Sequence, residues 1–213
     1  MGIKQIYRNT GEGAVASYDF TEIANGLGIV DFNGFSTNSG GVESFHLTNG
    51  SPFSNLVDTS GSLTGAAGTT LEFDFDSSPF NLPRSIRGDT SVVLSWKVTN
   101  NTSSNSNFVY ATLNKLDGTT ETLLSTTSGA ILDSGIGART NTLSFNGVPK
   151  THFKKGEQVR LTVGIQVVTA GNDPKRGFFA FDPQNRDGFN ISPSTDSSST
   201  SKLIMSLPFD IDL

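Results

Sequence analysis

The sequence predicts an all-β fold, an antiparallel β-sandwich of about ten strands with minimal helix. Three observations predict it. Apolar residues alternate with polar ones at period two through much of the chain, the pattern of strands with one buried face. Clusters of Gly, Asn, Asp, Ser and Pro separate these runs, and helical periodicity is nearly absent. Hydrophobic residues make up 34% and charged residues 16% of the 213 positions, so uncharged polar residues carry the surface. The 16 Phe supply the bulky apolar mass for a core.

In chain order, weaker runs at Val15 to Phe20, Ile29 to Phe35 and Val42 to Thr48 predict the first strands. Asp19 to Asn25, ahead of Gly26, is the one stretch suited to a short helix or turn. Leu71, Phe73 and Phe75 then alternate with Glu72, Asp74 and Asp76, giving one greasy and one acidic face. Val92, Leu94, Trp96 and Val98 alternate with Val93, Ser95, Lys97 and Thr99, which predicts a central strand with Trp96 in the core. Strands at Phe108 to Lys115 and Thr119 to Leu124 flank Asp117-Gly118, a hairpin turn, and Asn33-Gly34 and Asn146-Gly147 share its chemistry.

Thr140 to Phe145 precedes the run Val159 to Val167, the longest strand expected. Phe178 to Phe181 and Leu203 to Leu213 complete the set, with Pro208 marking an edge or a bulge. Asn100 to Asn107 and Ser192 to Ser201 read as polar loops. No internal repeat is found. Residues 1–13 read as an N-terminal arm and 14–213 as a single β-sandwich domain.

A net charge of −5 without a basic stripe argues against a nucleic-acid partner. The absence of cysteine removes disulfides, thiolate metal sites and thiol nucleophiles. No run is long enough to span a bilayer, and Met1 to Arg8 has no apolar region behind its basic residues. The expectation is a protein made in the cytoplasm, with no signal peptide and no membrane contact.

Only two histidines are present, His46 within a strand pattern and His152 at a strand entry, and no G-x-S-x-G elbow accompanies them. No glycine pair completes a phosphate-binding loop. The chain is therefore expected to be no enzyme, without cofactor and without zinc. Calcium has one candidate loop, with oxygen ligands at Asp182, Asn185 and Asp187, although a hydrogen-bonded turn is the simpler reading of those residues. Phe178 and Phe179 must point to opposite faces, which makes one of them an interface candidate. Ile3, Ile6 and Tyr7, apolar groups too few to form a core of their own, are interface candidates in the arm.

Ser/Thr/Asn-rich strands, the entry Phe153-Lys154-Lys155-Gly156-Glu157-Gln158-Val159-Arg160-Leu161-Thr162-Val163 and the closing run from Leu203 to Leu213 give the chain a further likeness. It resembles the jelly-roll virion proteins of tailed bacteriophages, especially head decoration and auxiliary capsid proteins. That resemblance implies a jelly-roll-like subunit of the virion that forms homo-oligomers, such as trimers, binds the major capsid protein or other virion subunits, and stabilises the lattice. No site residues carry over with it. The alternative reading is a carbohydrate- or receptor-binding β-sandwich module of a tail or fibre.

Overall fold

The computed structural model describes residues 27–52, 56–63, 66–99, 106–133, 138–169, 175–183 and 202–210. Among these the fold is all-β. Its twelve strands are β1 (Leu27–Ser39), β2 (Val42–Thr48), β3 (Asp58–Leu63), β4 (Thr70–Ser77), β5 (Arg84–Thr99) and β6 (Ser106–Asp117), followed by β7 (Thr120–Ser128), β8 (Leu132–Asp133), β9 (Arg139–Phe153), β10 (Gln158–Val167), β11 (Lys175–Ala180) and β12 (Leu203–Asp210).

Hydrogen bonding runs continuously in the order β3-β11-β5-β12-β1-β2-β4-β10-β6-β7, with β8 on β6 and β9 on β5. Every pairing is antiparallel except a short parallel contact of His46 and Leu47 in β2 with Asp76 and Ser77 in β4. The sheet folds over at this junction, so that β4 and β10 face β11 and β3 across the core. Phe73 meets Phe179 edge-on at 5.9 Å, and Phe75 meets Phe181 at 5.4 Å. Phe45 joins both pairs, lying 5.3 Å from Phe73 and 5.9 Å from Phe181. Edge-to-face ring pairs add about 0.5–1.5 kcal/mol each beyond their buried area, and here they also fix how the two layers sit on each other.

The period-two patterns place the core as expected on β4, β5, β10 and β12. Val92, Leu94, Trp96 and Val98, with Val159, Leu161, Val163, Ile165 and Val167, are all buried in one cluster. Trp96 is satisfied as well as buried, since its indole N–H donates to Asn141 Oδ1 at 2.8 Å.

Several expectations are corrected. Two strands, β3 and β8, were absent from the sequence pattern, because Asp58-Thr59-Ser60-Gly61-Ser62-Leu63 carries almost no apolar alternation and β8 has two residues. The longest strand is β5 with 16 residues, not β10 with 10. Asn33-Gly34 is no turn but runs on inside β1. Asn146-Gly147 lies inside β9, where Gly147 takes φ 67° and its N–H is accepted by Asp89 Oδ1 at 2.8 Å. A left-handed residue there makes a bulge rather than a reversal, and the β5–β9 register shifts on both sides of Gly88, which pairs with the adjacent Val148. Asp117-Gly118 does close the β6–β7 hairpin.

The outer face of β5 also departs from simple alternation. Ser95 and Lys97 are buried although they point away from the core, Lys97 at 4% exposure. Phe178 and Phe179 point to opposite faces, yet both are buried: Phe179 joins the main core, and Phe178 packs with Ala180 and Ala138. The strand at Val15 to Phe20, the turn at Asp19 to Asn25, the arm 1–13 and the loop Ser192 to Ser201 lie outside the described residues.

The β9–β10 turn is held by an ion pair between the buried Glu157 and the half-buried Lys115. Lys115 Nζ reaches Glu157 Oε2 at 2.6 Å, donates to the His152 carbonyl at 2.8 Å and sits 5.5 Å from the centre of the Phe153 ring. The same Glu157 oxygen accepts the Lys154 N–H at 2.6 Å. Burial pushes the Glu157 carboxyl up, but the hydrogen bonds from Lys115 and Lys154 and the charge of Lys115 outweigh it and hold the group below its ordinary value.

Two outcomes follow from this packing. Trp96→Ala is expected to cost about 3–5 kcal/mol in denaturant unfolding, from lost burial and an orphaned Asn141. Because Glu157 is depressed in the folded state, its stabilisation is present above the ordinary carboxyl range and is lost as pH falls through the lower, folded value. Thermal melts from pH 7 to pH 3 should therefore show an acid-dependent loss that is smaller in Glu157→Gln, which starts from a lower Tm at neutral pH.

Candidate functional site

The outer face of β4, β10, β6 and β7 gathers the charged and aromatic groups that sequence pattern alone leaves scattered. On β4 the inward Leu71, Phe73 and Phe75 force Glu72, Asp74 and Asp76 outward. On β10 the inward Val159, Leu161 and Val163 turn Arg160, Thr162 and Gly164 to the same side. Antiparallel register then sets Arg160 beside Asp76, Thr162 beside Asp74 and Gly164 beside Glu72. On the other edge of β10 the same three residues meet Asn114, Thr112 and Tyr110 of β6.

Arg160 grips Asp76 with both arms, Nε donating to Oδ1 at 2.6 Å and Nη2 to Oδ2 at 2.8 Å. Its Nη1 bonds Glu121 on β7 and lies 3.4 Å from Asp74 Oδ2. Thr162 Oγ1 donates to Asp74 Oδ1 at 2.6 Å. The hydrogen bonds that Arg160 donates to Asp76 hold its guanidinium charged more firmly than usual, over the opposing effect of its partial burial, with the charges of Asp76, Asp74 and Glu121 adding to it. Three carboxylates thus share one cation, Glu72 adds a fourth negative group beside them, and the face stays net negative.

Tyr110 crosses β10 toward β4 and donates its hydroxyl to Glu72 Oε1. Gly164 makes this crossing possible, because a Cβ there would fall 2.2–2.5 Å from Cζ, Cε1 and Oη of the ring. Partial burial, followed by the hydrogen bond and charge of Glu72, raises the Tyr110 phenol above its ordinary value, so it remains a donor at neutral pH. Phe108, one outward position away on β6, lies 6.2 Å from it between ring centres.

The remaining candidates are dispersed. His46 Nε2 lies 3.0 Å from Thr37 Oγ1, and His152 Nδ1 lies 3.2 Å from Ser85 Oγ. The Ser85–His152 contact is a serine–histidine pair, but among the described residues no carboxylate bonds that imidazole to orient it. Asp182 is buried, while Asn185 and Asp187 lie outside the described residues, as do Ile3, Ile6 and Tyr7. Among the described residues no group of three or more His, Asp or Glu is placed to hold a metal ion, and no helix is long and apolar enough to cross a membrane. The acidic strand face was legible in the sequence, whereas Arg160 and Tyr110 were not singled out. Only the β4–β10–β6 register brings them to it.

No family model and no curated protein matches the chain. Among solved structures, an aminopeptidase from the marine sediment archaeon Thaumarchaeota archaeon overlaps 86% of this chain and 37% of its own at 8% identity, with a TM-score of 0.53. A CocE/NonD family hydrolase from Staphylococcus aureus overlaps 84% of this chain and 36% of its own at 10% identity, with a TM-score of 0.49. Viral capsid proteins are also among the neighbours. The VP2 subviral particle of infectious bursal disease virus overlaps 73% of this chain and 42% of its own at 10% identity, with a TM-score of 0.26.

The chain therefore spans 36–42% of the length of these three proteins. The expectation that the chain is no enzyme is corrected by the aminopeptidase overlap, since a similar fold forms part of that protein. At such identity the likeness is one of fold, and it brings no catalytic residue to any position here.

Arg160→Gln is expected to lower stability by about 1–3 kcal/mol while leaving the sheet intact, because Asp74, Asp76 and Glu121 lose their common counter-charge. Urea unfolding at low salt and at 1 M salt checks this. The deficit should shrink at high salt, where repulsion among the half-exposed carboxylates is screened.

Proposed function

We propose that this chain is a structural subunit of a virus particle, a capsid-associated decoration or auxiliary protein that binds the major capsid lattice and associates with copies of itself. The observation that carries the reading is the outer edge of β7. This nine-residue strand pairs with β6 along one side and has no ladder on the other among the described residues. It contains neither Pro nor Lys, the residues that commonly guard a sheet edge. Leu123 on it is 63% exposed, and Ile131 just beyond it is 57% exposed. An open ladder flanked by exposed apolar side chains is suited to strand addition from a neighbouring subunit.

The polar sandwich surface supports the same reading, since non-obligate interfaces are about as polar as ordinary protein surface. Residues 1–13, with Ile3, Ile6 and Tyr7, are assigned in this proposal to an arm that lies on a neighbour.

Light scattering after size separation is expected to give a multiple of the 22.6 kDa chain mass, and the protein should cosediment with capsids that lack it. Leu123→Lys combined with Ile131→Glu should leave the circular dichroism unchanged and abolish both. A wild-type protein that stays monomeric at high concentration and ignores capsids defeats the proposal. Deletion of residues 2–13 should weaken assembly while leaving the sheet signal intact.

A further inference from the structure

We infer that the outer face around Tyr110 is a binding site for a neutral hexose unit of a glycan, a function independent of the assembly proposed above. The ring carries the argument. Tyr110 is laid over the backbone of Gly164, where no side chain intervenes, and its hydroxyl is tied to Glu72. With its hydroxyl anchored and a backbone floor beneath it, the ring is fixed as a platform that remains only partly buried. Phe108 extends the apolar strip along β6. An amphipathic, pre-set ring of this kind receives the apolar C–H face of a pyranose with little loss of side-chain freedom on binding.

The groups beside the ring select the class of sugar. Glu72 and Asp74 are exposed acceptors next to Tyr110, and each has one carboxylate oxygen engaged by a neighbouring hydroxyl, from Tyr110 and Thr162. The second oxygen of Glu72, and the lone pairs that Asp74 Oδ2 keeps beyond its 3.4 Å contact with Arg160, suit the donor O–H groups of a sugar, in charge-assisted hydrogen bonds. Thr112 and Thr126, 3.5 Å apart on the next row, add hydroxyls that both donate and accept. The excess of carboxylate over guanidinium on this face repels sialylated, uronic or sulfated units, so the match is to neutral hexoses.

The test uses the full chain on an array holding neutral gluco-, manno- and galacto-oligosaccharides beside sialylated and sulfated ones, with titration calorimetry of the hits. Binding to a neutral oligosaccharide is expected, with the anionic set blank. Tyr110→Ala should weaken it at least tenfold, while Tyr110→Phe, which keeps the ring, should retain most of it. Glu72→Gln should reduce it less than Tyr110→Ala does.

Saturation-transfer NMR on the wild-type protein reads the same contact without any variant, through selective transfer to the ring C–H protons of the sugar. It covers the case in which Tyr110→Ala fails to fold. A blank neutral set, preference for anionic glycans, or neutral binding unchanged in a folded Tyr110→Ala protein overturns the inference. Because glycan binding is read on dispersed protein, its failure is separable from a failure to assemble.

Discussion

The fold depends on β5 being paired along most of its length on both edges. One edge takes β9, from Arg84 opposite Phe153 to Trp96 opposite Arg139. The other takes β12 along its first part and β11 along its last, with Leu203 opposite Leu94 and Ala180 opposite Ser95. Three segments far apart in sequence therefore close on a single strand, and in a chain without cysteine no disulfide holds them. What secures the arrangement is the inward row of Val92, Leu94, Trp96 and Val98, against which the opposite layer packs. Loops between such partners must close before any of these contacts is rewarded, which places this topology among slow-folding, high-contact-order β proteins.

Legibility of the fold followed from how each strand is solvated. Strands with one wet face, such as β4 and β10, show clean alternation and were readable. Around Ser95, Lys97 and Phe178 both faces of the sheet are covered, and there the residue pattern carries no reliable sign of which side is inward. β3 was missed for the opposite reason: its residues are small and polar, and it is held as a strand by pairing with β11. Asn33-Gly34 and Asn146-Gly147 were misread because the dipeptide reports tolerance of unusual backbone geometry, and bulges and close packing use that tolerance as readily as turns do.

The candidate site was half legible. Glu72, Asp74 and Asp76 could be placed on one outward face from period two alone. Their partners come from residues 84 to 88 positions further along, as in the Asp76–Arg160 and Asp74–Thr162 bonds, and only strand order supplies that information. Gly164 illustrates the limit most sharply. In the sequence it is a weak spot in a strong strand, and in the fold it is the residue whose missing side chain admits Tyr110.

The two surfaces assigned here differ in mechanical character, and that difference bears on how one chain could serve both. β10, which carries Arg160 and Gly164, is hydrogen-bonded on one edge to β4 and on the other to β6, so the Tyr110 face rests on an interior strand fixed from both sides. Groups on such a strand are already ordered before a ligand arrives, and little entropy is lost on binding. β7 has a hydrogen-bonded ladder on one side only, and that ladder with β6 carries a register shift between Leu113 and Asn114. A strand of that kind can adjust its twist to a neighbour, and its unpaired backbone groups gain most from being covered. Strand addition at β7 would lengthen the sheet in its own plane and leave the outer face above β10 open, so occupancy of one surface does not sterically exclude the other.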